Sequence, residues 1–135
     1  MKYNAILSIV GKVLLTLLLV MPILGTLGIF PAPTADMYQT PEAFQFINLL
    51  MQSKYIMVIN SVVYLITLYC LWTRRTALAA LLLLPISINI VGFHAFLDGG
   101  LFTGGAVMGN VLLLLNLAFL WQQRANYKSL WEKRT

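Results

Sequence analysis

Four stretches of this chain are apolar for so long that a helix built from them has no stable place in water. They are "VLLTLLLVMPILGTLGIF" over 13–30, "YIMVINSVVYLITLYCLW" over 55–72, and the runs over 77–97 and 106–121. Crossing the hydrocarbon core of a bilayer takes about 20 mainly apolar residues, within a range of roughly 17–25. No water reaches that core, so each crossing segment must close its backbone hydrogen bonds internally, as a helix. The expectation is an all-α polytopic membrane protein, a four-transmembrane-helix bundle forming a single membrane domain over residues 1–135. Charge agrees: 10% of the residues are Asp, Glu, Lys or Arg, against about 25% in soluble domains.

The segment over 41–52 has a different pattern. Glu42, Gln45, Asn48 and Gln52 recur at helical spacing, while Phe44, Ile47, Leu50 and Met51 fill the other side. That is an amphipathic helix lying at the membrane interface. Thr40 is placed to cap its start, and Pro41 takes the first helical position, where its missing N–H costs nothing.

Orientation follows from the basic residues. In a four-span reading Lys2, Lys12, Arg74, Arg75, Arg124, Lys128, Lys133 and Arg134 share one side, and only Lys54 falls on the other. By the positive-inside rule both termini are expected to be cytoplasmic, with a tail over 122–135 on the inner leaflet. Trp72 and Trp121 stand at that boundary and Tyr55 at the opposite one, as an aromatic belt would place them. The net charge of +5 is thereby a topology signal and a contact for anionic lipid, and no nucleic-acid partner is expected. A cleavable signal peptide is the rival reading of the first segment. Its 18-residue apolar run exceeds the roughly 7–15 residues of a signal core, so a retained span is expected.

Polar side chains inside the apolar runs are costly unless paired, and so are candidates for a functional site. They include Asn60, Ser61, Tyr64 and Thr67 in the second run, Ser87, Asn89 and His94 in the third, and Asn110 and Asn116 in the fourth. Interhelical hydrogen bonding, at about 0.6 kcal/mol per pair, explains most of them equally well. Pro85 frees the carbonyl of Leu81 within the third run, and Pro22 interrupts the first in the same way. His94 is the sole histidine, and Asp98 follows it by four residues, on the same face if the helix persists. A carboxylate there would hold the ring in one tautomer, as a proton relay or ligand site requires. The plain alternative is a solvated aspartate at a helix end marked by Gly99 and Gly100, with His94 snorkelling to the interface. The residues singled out for ligand binding or proton relay are His94, Asp98, Asn89, Tyr64, Asn60 and Asn110.

Much chemistry is excluded. Cys70 is the lone cysteine, so this chain alone builds no disulfide, CxxC pair or thiolate zinc cluster. One histidine rules out bis-histidine haem ligation within the chain, and a metal site is not expected. Phosphate loops, nucleophile elbows and zinc-protease signatures are all missing from the sequence, so no catalytic residue is assigned.

Two segments, "GIFPAPTADMYQTPEAFQFINLLMQSKYIM" and "ALLLLPISINIVGFHAFLD", together resemble the DoxX-like family of small bacterial membrane proteins. The second matches an approximate P-I-x-x-N-I-x-x-F-H-x-F-L-D pattern at Pro85, Ile86, Asn89, Ile90, Phe93, His94, Phe96, Leu97 and Asp98. The resemblance covers about residues 13 to 128. Family members often carry a lysine and a glutamate three residues apart near the start of the second span, where this chain has Ser61 and Tyr64. The resemblance implies a four-helix bundle in the bacterial inner membrane. Beyond the resemblance, the expected role is that of an accessory or binding protein without catalysis of its own, which stabilises a partner membrane complex, forms a homo-oligomer or holds an apolar ligand among its helices. The alternatives are a quinone-binding, redox-linked subunit in which His94 donates to a ring oxygen, and a small oligomeric transporter using His94, Asn89 and Asn110.

Overall fold

The computed structural model describes residues 2–131. Within them the chain is helical and forms no strand. Helices α1 (Lys2–Thr26), α3 (Tyr55–Trp72) and α4 (Thr76–Phe96) are each long and apolar enough to cross a membrane. Helix α5 (Ala106–Gln122) is equally apolar but 17 residues long. The amphipathic α2 (Pro41–Ser53) precedes α3, and a short α6 (Lys128–Trp131) closes the described chain. Together these make a multi-pass membrane protein.

The helix limits follow local chemistry. The first helix departs from the sequence expectation at both ends: it starts at Lys2 rather than Val13 and stops at Thr26 rather than Phe30. The stop is a Schellman motif. Ile29 N–H reaches Leu24 O (3.1 Å), Gly28 N–H reaches Gly25 O (3.0 Å), and Gly28 sits at φ +76, where a side chain would be strained. Apolar composition continues past this stop, and so composition misplaced it. At α2, Thr40 Oγ1 accepts from Ala43 N–H at 3.1 Å and Pro41 occupies the first position, as expected. A single residue, Lys54 at φ +59, joins α2 to α3.

The helices alternate in direction. Midway along α1, Thr16 Oγ1 accepts from Trp72 Nε1 at the far end of α3 (3.1 Å); at the C-terminal end of α1, Thr26 Oγ1 accepts from Ser61 Oγ in the first half of α3 (2.9 Å). Helix α4 packs between α3 and α5, and α1 packs against α3 and α5. One end of the assembly therefore gathers Arg74, Arg75, Arg124 and Lys128, here called the basic end. At that end the Arg124 guanidinium lies 4.8 Å over the Trp121 ring, and Tyr127 OH donates to Ala77 O (2.8 Å). The opposite end carries His94.

Apolar burial does not by itself hold such helices together, because lipid tails are as apolar as leucine. Close packing and interhelical hydrogen bonds do that work. Leu15, Leu19, Leu71, Leu83 and Phe119 form the interior, while Leu17, Ile59, Val62, Leu65 and Leu114 point outward. The fully buried Asn116 of α5 is the polar link. Turned so that both ends of its amide are satisfied, it donates to Ala80 O (3.0 Å) and accepts from Ser87 Oγ and Leu84 N–H (3.2 Å each). It thus grips α4 on both sides of Pro85, and α4 runs unbroken through that proline. Gly105, which caps α5, and Gly109 one turn into it form a small-xxx-small step. A Cβ at Gly109 would come within 2.9 Å of Ile90 Cγ2 and 3.6 Å of His94 Cδ2, so the glycine is what lets α4 approach.

Candidate functional site

Helix α4 stops at Phe96, but the turn that follows keeps Asp98 beside His94, and the pair is made: Nδ1 lies 2.9 Å from Asp98 Oδ2. The second carboxylate oxygen, Oδ1, accepts from Gln39 N–H at 2.8 Å. Asp98 is 2% exposed, which removes the reading of it as a solvated helix end. Thr40 Oγ1 donates to Leu97 O beside it. Two polar ties thus fasten the start of α2 to the end of α4 across nearly sixty positions of sequence (|i−j| 59 and 57). Gly99 makes this approach possible. It sits at φ +79, and a Cβ there would stand 2.8 Å from Gln39 Cβ.

The tautomer follows from these contacts. An ionised carboxylate only accepts, so the ring hydrogen of a neutral His94 belongs on Nδ1 and the lone pair on Nε2. Around the ring, α5 is pared down: a Cβ at Gly105 would meet His94 Cε1 at 3.4 Å and Asp98 Oδ2 at 3.3 Å. On the other side, Phe93 packs edge-on to His94 (centroids 5.0 Å apart), stacks with Phe46 of α2 (5.9 Å) and meets Tyr38 edge-on (6.4 Å). Burial raises the Tyr38 phenol above its usual range, and the Asp98 charge pushes it the same way.

Beneath α2 lies a cavity of about 560 Å³. Phe30, Met37, Ile47, Leu50, Met51 and Met57 supply apolar wall, and His94, Asp98, Asn89, Asn60 and Tyr38 supply polar atoms. Of the six residues singled out from sequence, His94, Asp98, Asn89 and Asn60 meet here. Two do not. Tyr64 is buried in the interior cluster away from the cavity. Asn110 donates to Leu101 O (2.7 Å) and fastens the loop between α4 and α5. Among the described residues, neither the Asn60 nor the Asn89 amide has a protein hydrogen-bond partner, and nor does His94 Nε2.

The sequence reading passed over Gln39, Gly105 and Gly109, and took Gly99 only as a helix stop. The glycine step on α5 was readable as G-x-x-x-G; the Gln39 contact, a backbone group meeting a distant side chain, left no sequence signal. Ser61 is explained by its bond to Thr26. No protein-family model matches the sequence, and no curated protein or solved structure matches the chain.

Proposed function

We propose that this chain is a DoxX-like protein of the bacterial inner membrane in which α1, α3, α4 and α5 all cross the bilayer as a four-helix bundle. Both termini and the Arg74–Arg75 turn face the cytoplasm, and α2 lies on the outer surface. The protein acts as a binding or accessory subunit without catalysis of its own, holding an amphipathic molecule beneath α2. Support for the fourth span comes from packing and charge. Helix α5 lies alongside α4 through Asn116 and the Gly105–Gly109 step, and the antiparallel helices collect the basic residues at one end.

The observation that carries the binding reading is the cavity, with apolar walls and unpaired polar groups at one place in them. Its size falls within the roughly 300–1,000 Å³ usual for ligand sites. Asn60 is half-buried and Asn89 is open at the cavity wall, and a bound molecule would satisfy amides that lipid tails cannot. The redox-linked alternative, with His94 donating to a quinone oxygen, needs a hydrogen on Nε2, whereas Asp98 draws it to Nδ1 in the neutral ring. The test is mass spectrometry of the gently purified chain beside a cavity-filling Met57→Trp variant. A lipid-like molecule retained by the wild type and lost from the variant is the expected result. Equal retention by both would overturn the reading.

A further inference from the structure

We infer that the cavity takes an uncharged amphiphile with a hydroxyl head, which donates to His94 Nε2 and exchanges hydrogen bonds with Asn60 and Asn89. This rests on the binding reading above and narrows it to a chemical class. Three observations select the class.

The first is the sense of the imidazole. With Nδ1–H committed to Asp98 at 2.9 Å, Nε2 of the neutral ring is an acceptor, so a ligand atom that bonds to it must be a donor. The second is the amide pair. Asn60 on α3 and Asn89 on α4 each offer a donor and an acceptor, and no described residue engages either. A hydroxyl, which both donates and accepts, can bond to the ring and an amide at once. The third is charge. Among the described residues no lysine or arginine lines the cavity; Lys54 lines a separate cleft of about 220 Å³ that shares Met51 and Met57 with it. An anionic head would face Asp98 with no countercharge, and burying it so is strongly unfavourable.

A cationic head fares no better. Asp98 is 2% exposed and its oxygens accept from His94 and from Gln39, so little of the carboxylate is open to an ammonium group. The nearby rings are paired with one another: Phe93 stacks with Phe46 and meets Tyr38 edge-on. The remaining wall is methionine, phenylalanine and aliphatic carbon. At about 30 Å³ per water-sized group, a cavity of about 560 Å³ takes a head and a substantial length of chain.

The experiment uses the full chain in lipid nanodiscs and three photoreactive probes. They share one diazirine-bearing hydrocarbon chain and end in an alcohol, a carboxylate or a trimethylammonium. Adducts on the peptides of α2 and the second half of α4 are counted relative to adducts on the lipid-facing Leu114 peptide, which cancels differences in partitioning. The alcohol is expected to label the cavity about tenfold more than either charged probe. Asn89→Leu and His94→Phe are each expected to lower that labelling about fivefold, the effect of one lost hydrogen bond. Leu114→Ala should leave it unchanged. Equal or stronger cavity labelling by a charged probe, or unchanged labelling in Asn89→Leu, overturns the hydroxyl assignment while binding itself stands. If no probe labels the cavity above the lipid-facing level, the binding reading falls with it.

Discussion

Replacing Asp98 by asparagine should invert the hydrogen-bonding sense of His94. In the native site the carboxylate receives Nδ1–H at 2.9 Å and Gln39 N–H at 2.8 Å. Hydrogen bonds to charged groups contribute about 1.5–3 kcal/mol, against about 1 kcal/mol for neutral ones. That favours the Nδ1–H tautomer by more than about tenfold. In Asp98→Asn the amide oxygen must stay with Gln39 N–H, because the NH₂ group would set donor against donor there. The NH₂ group then faces Nδ1, and the ring hydrogen moves to Nε2. The cost is the difference between charged and neutral bonds, about 1–2 kcal/mol of stability. Asp98→Leu should cost more, about 3 kcal/mol, since it leaves two buried donors without acceptors. His94 is the only histidine, so ¹⁵N-histidine labelling gives one pair of ring resonances, and protonated and bare nitrogens are well separated. With the ring neutral, the wild type should show Nδ1 protonated and Asp98→Asn should show Nε2 protonated. A wild-type ring carrying its hydrogen on Nε2, or identical tautomers in both proteins, would refute this account of the site.

Thr40→Val removes both the α2 cap and the tie to Leu97 O; about 1–2 kcal/mol of local stability is lost, and amide exchange should quicken in α2 while α3 is unchanged. Asn116→Leu leaves Ala80 O and Ser87 Oγ without their interhelical partner and should lower thermal stability in detergent by roughly 1–2 kcal/mol, whereas a merely lipid-facing asparagine would give no loss. The Tyr38 phenol ionises above the ordinary value of about 10 because burial, and then Asp98, disfavour its anion. Its contribution to stability is therefore complete below that value and fades as pH rises through the raised one; the absorbance titration lost in Tyr38→Phe should show this late step, and a midpoint at or below the ordinary value would contradict it.

Local signals were legible in the sequence, and distant contacts were not. The run from Tyr55 to Trp72 is α3 residue for residue, because Lys54 and the Thr73–Arg74 turn bound it sharply. The third and fourth runs shift by a residue at most, to Thr76–Phe96 and Ala106–Gln122. Thr40 and Pro41 announced α2 through capping chemistry that acts within one turn. The polar face of Glu42, Gln45, Asn48 and Gln52 is exposed as its spacing required. Pairing His94 with Asp98 needed only helical spacing, and the distance agrees. What spacing could not supply was Asp98's burial, since that depends on Gln39 arriving from another part of the chain. It likewise could not distinguish Asn60 and Asn89 at the cavity from Asn116 in the interior or Asn110 on a loop carbonyl, because all four are asparagines in apolar runs. The tail over 122–135 forms a 3₁₀ turn at Arg124–Tyr127 and the short α6; residues 132–135 fall outside the described ones.

The most direct test of the whole account is which side of the membrane each loop occupies. Single cysteines are introduced at Lys54, Phe102, Arg74 and Asn126 in a Cys70→Ala background, and intact cells are treated with a membrane-impermeant maleimide. If four helices cross with the His94 end outward, Lys54→Cys and Phe102→Cys are labelled at once, and Arg74→Cys and Asn126→Cys only after permeabilisation. Labelling of Asn126→Cys together with Phe102→Cys in intact cells would mean that α5 does not cross, and labelling of Arg74→Cys there would turn the site to face the cytoplasm.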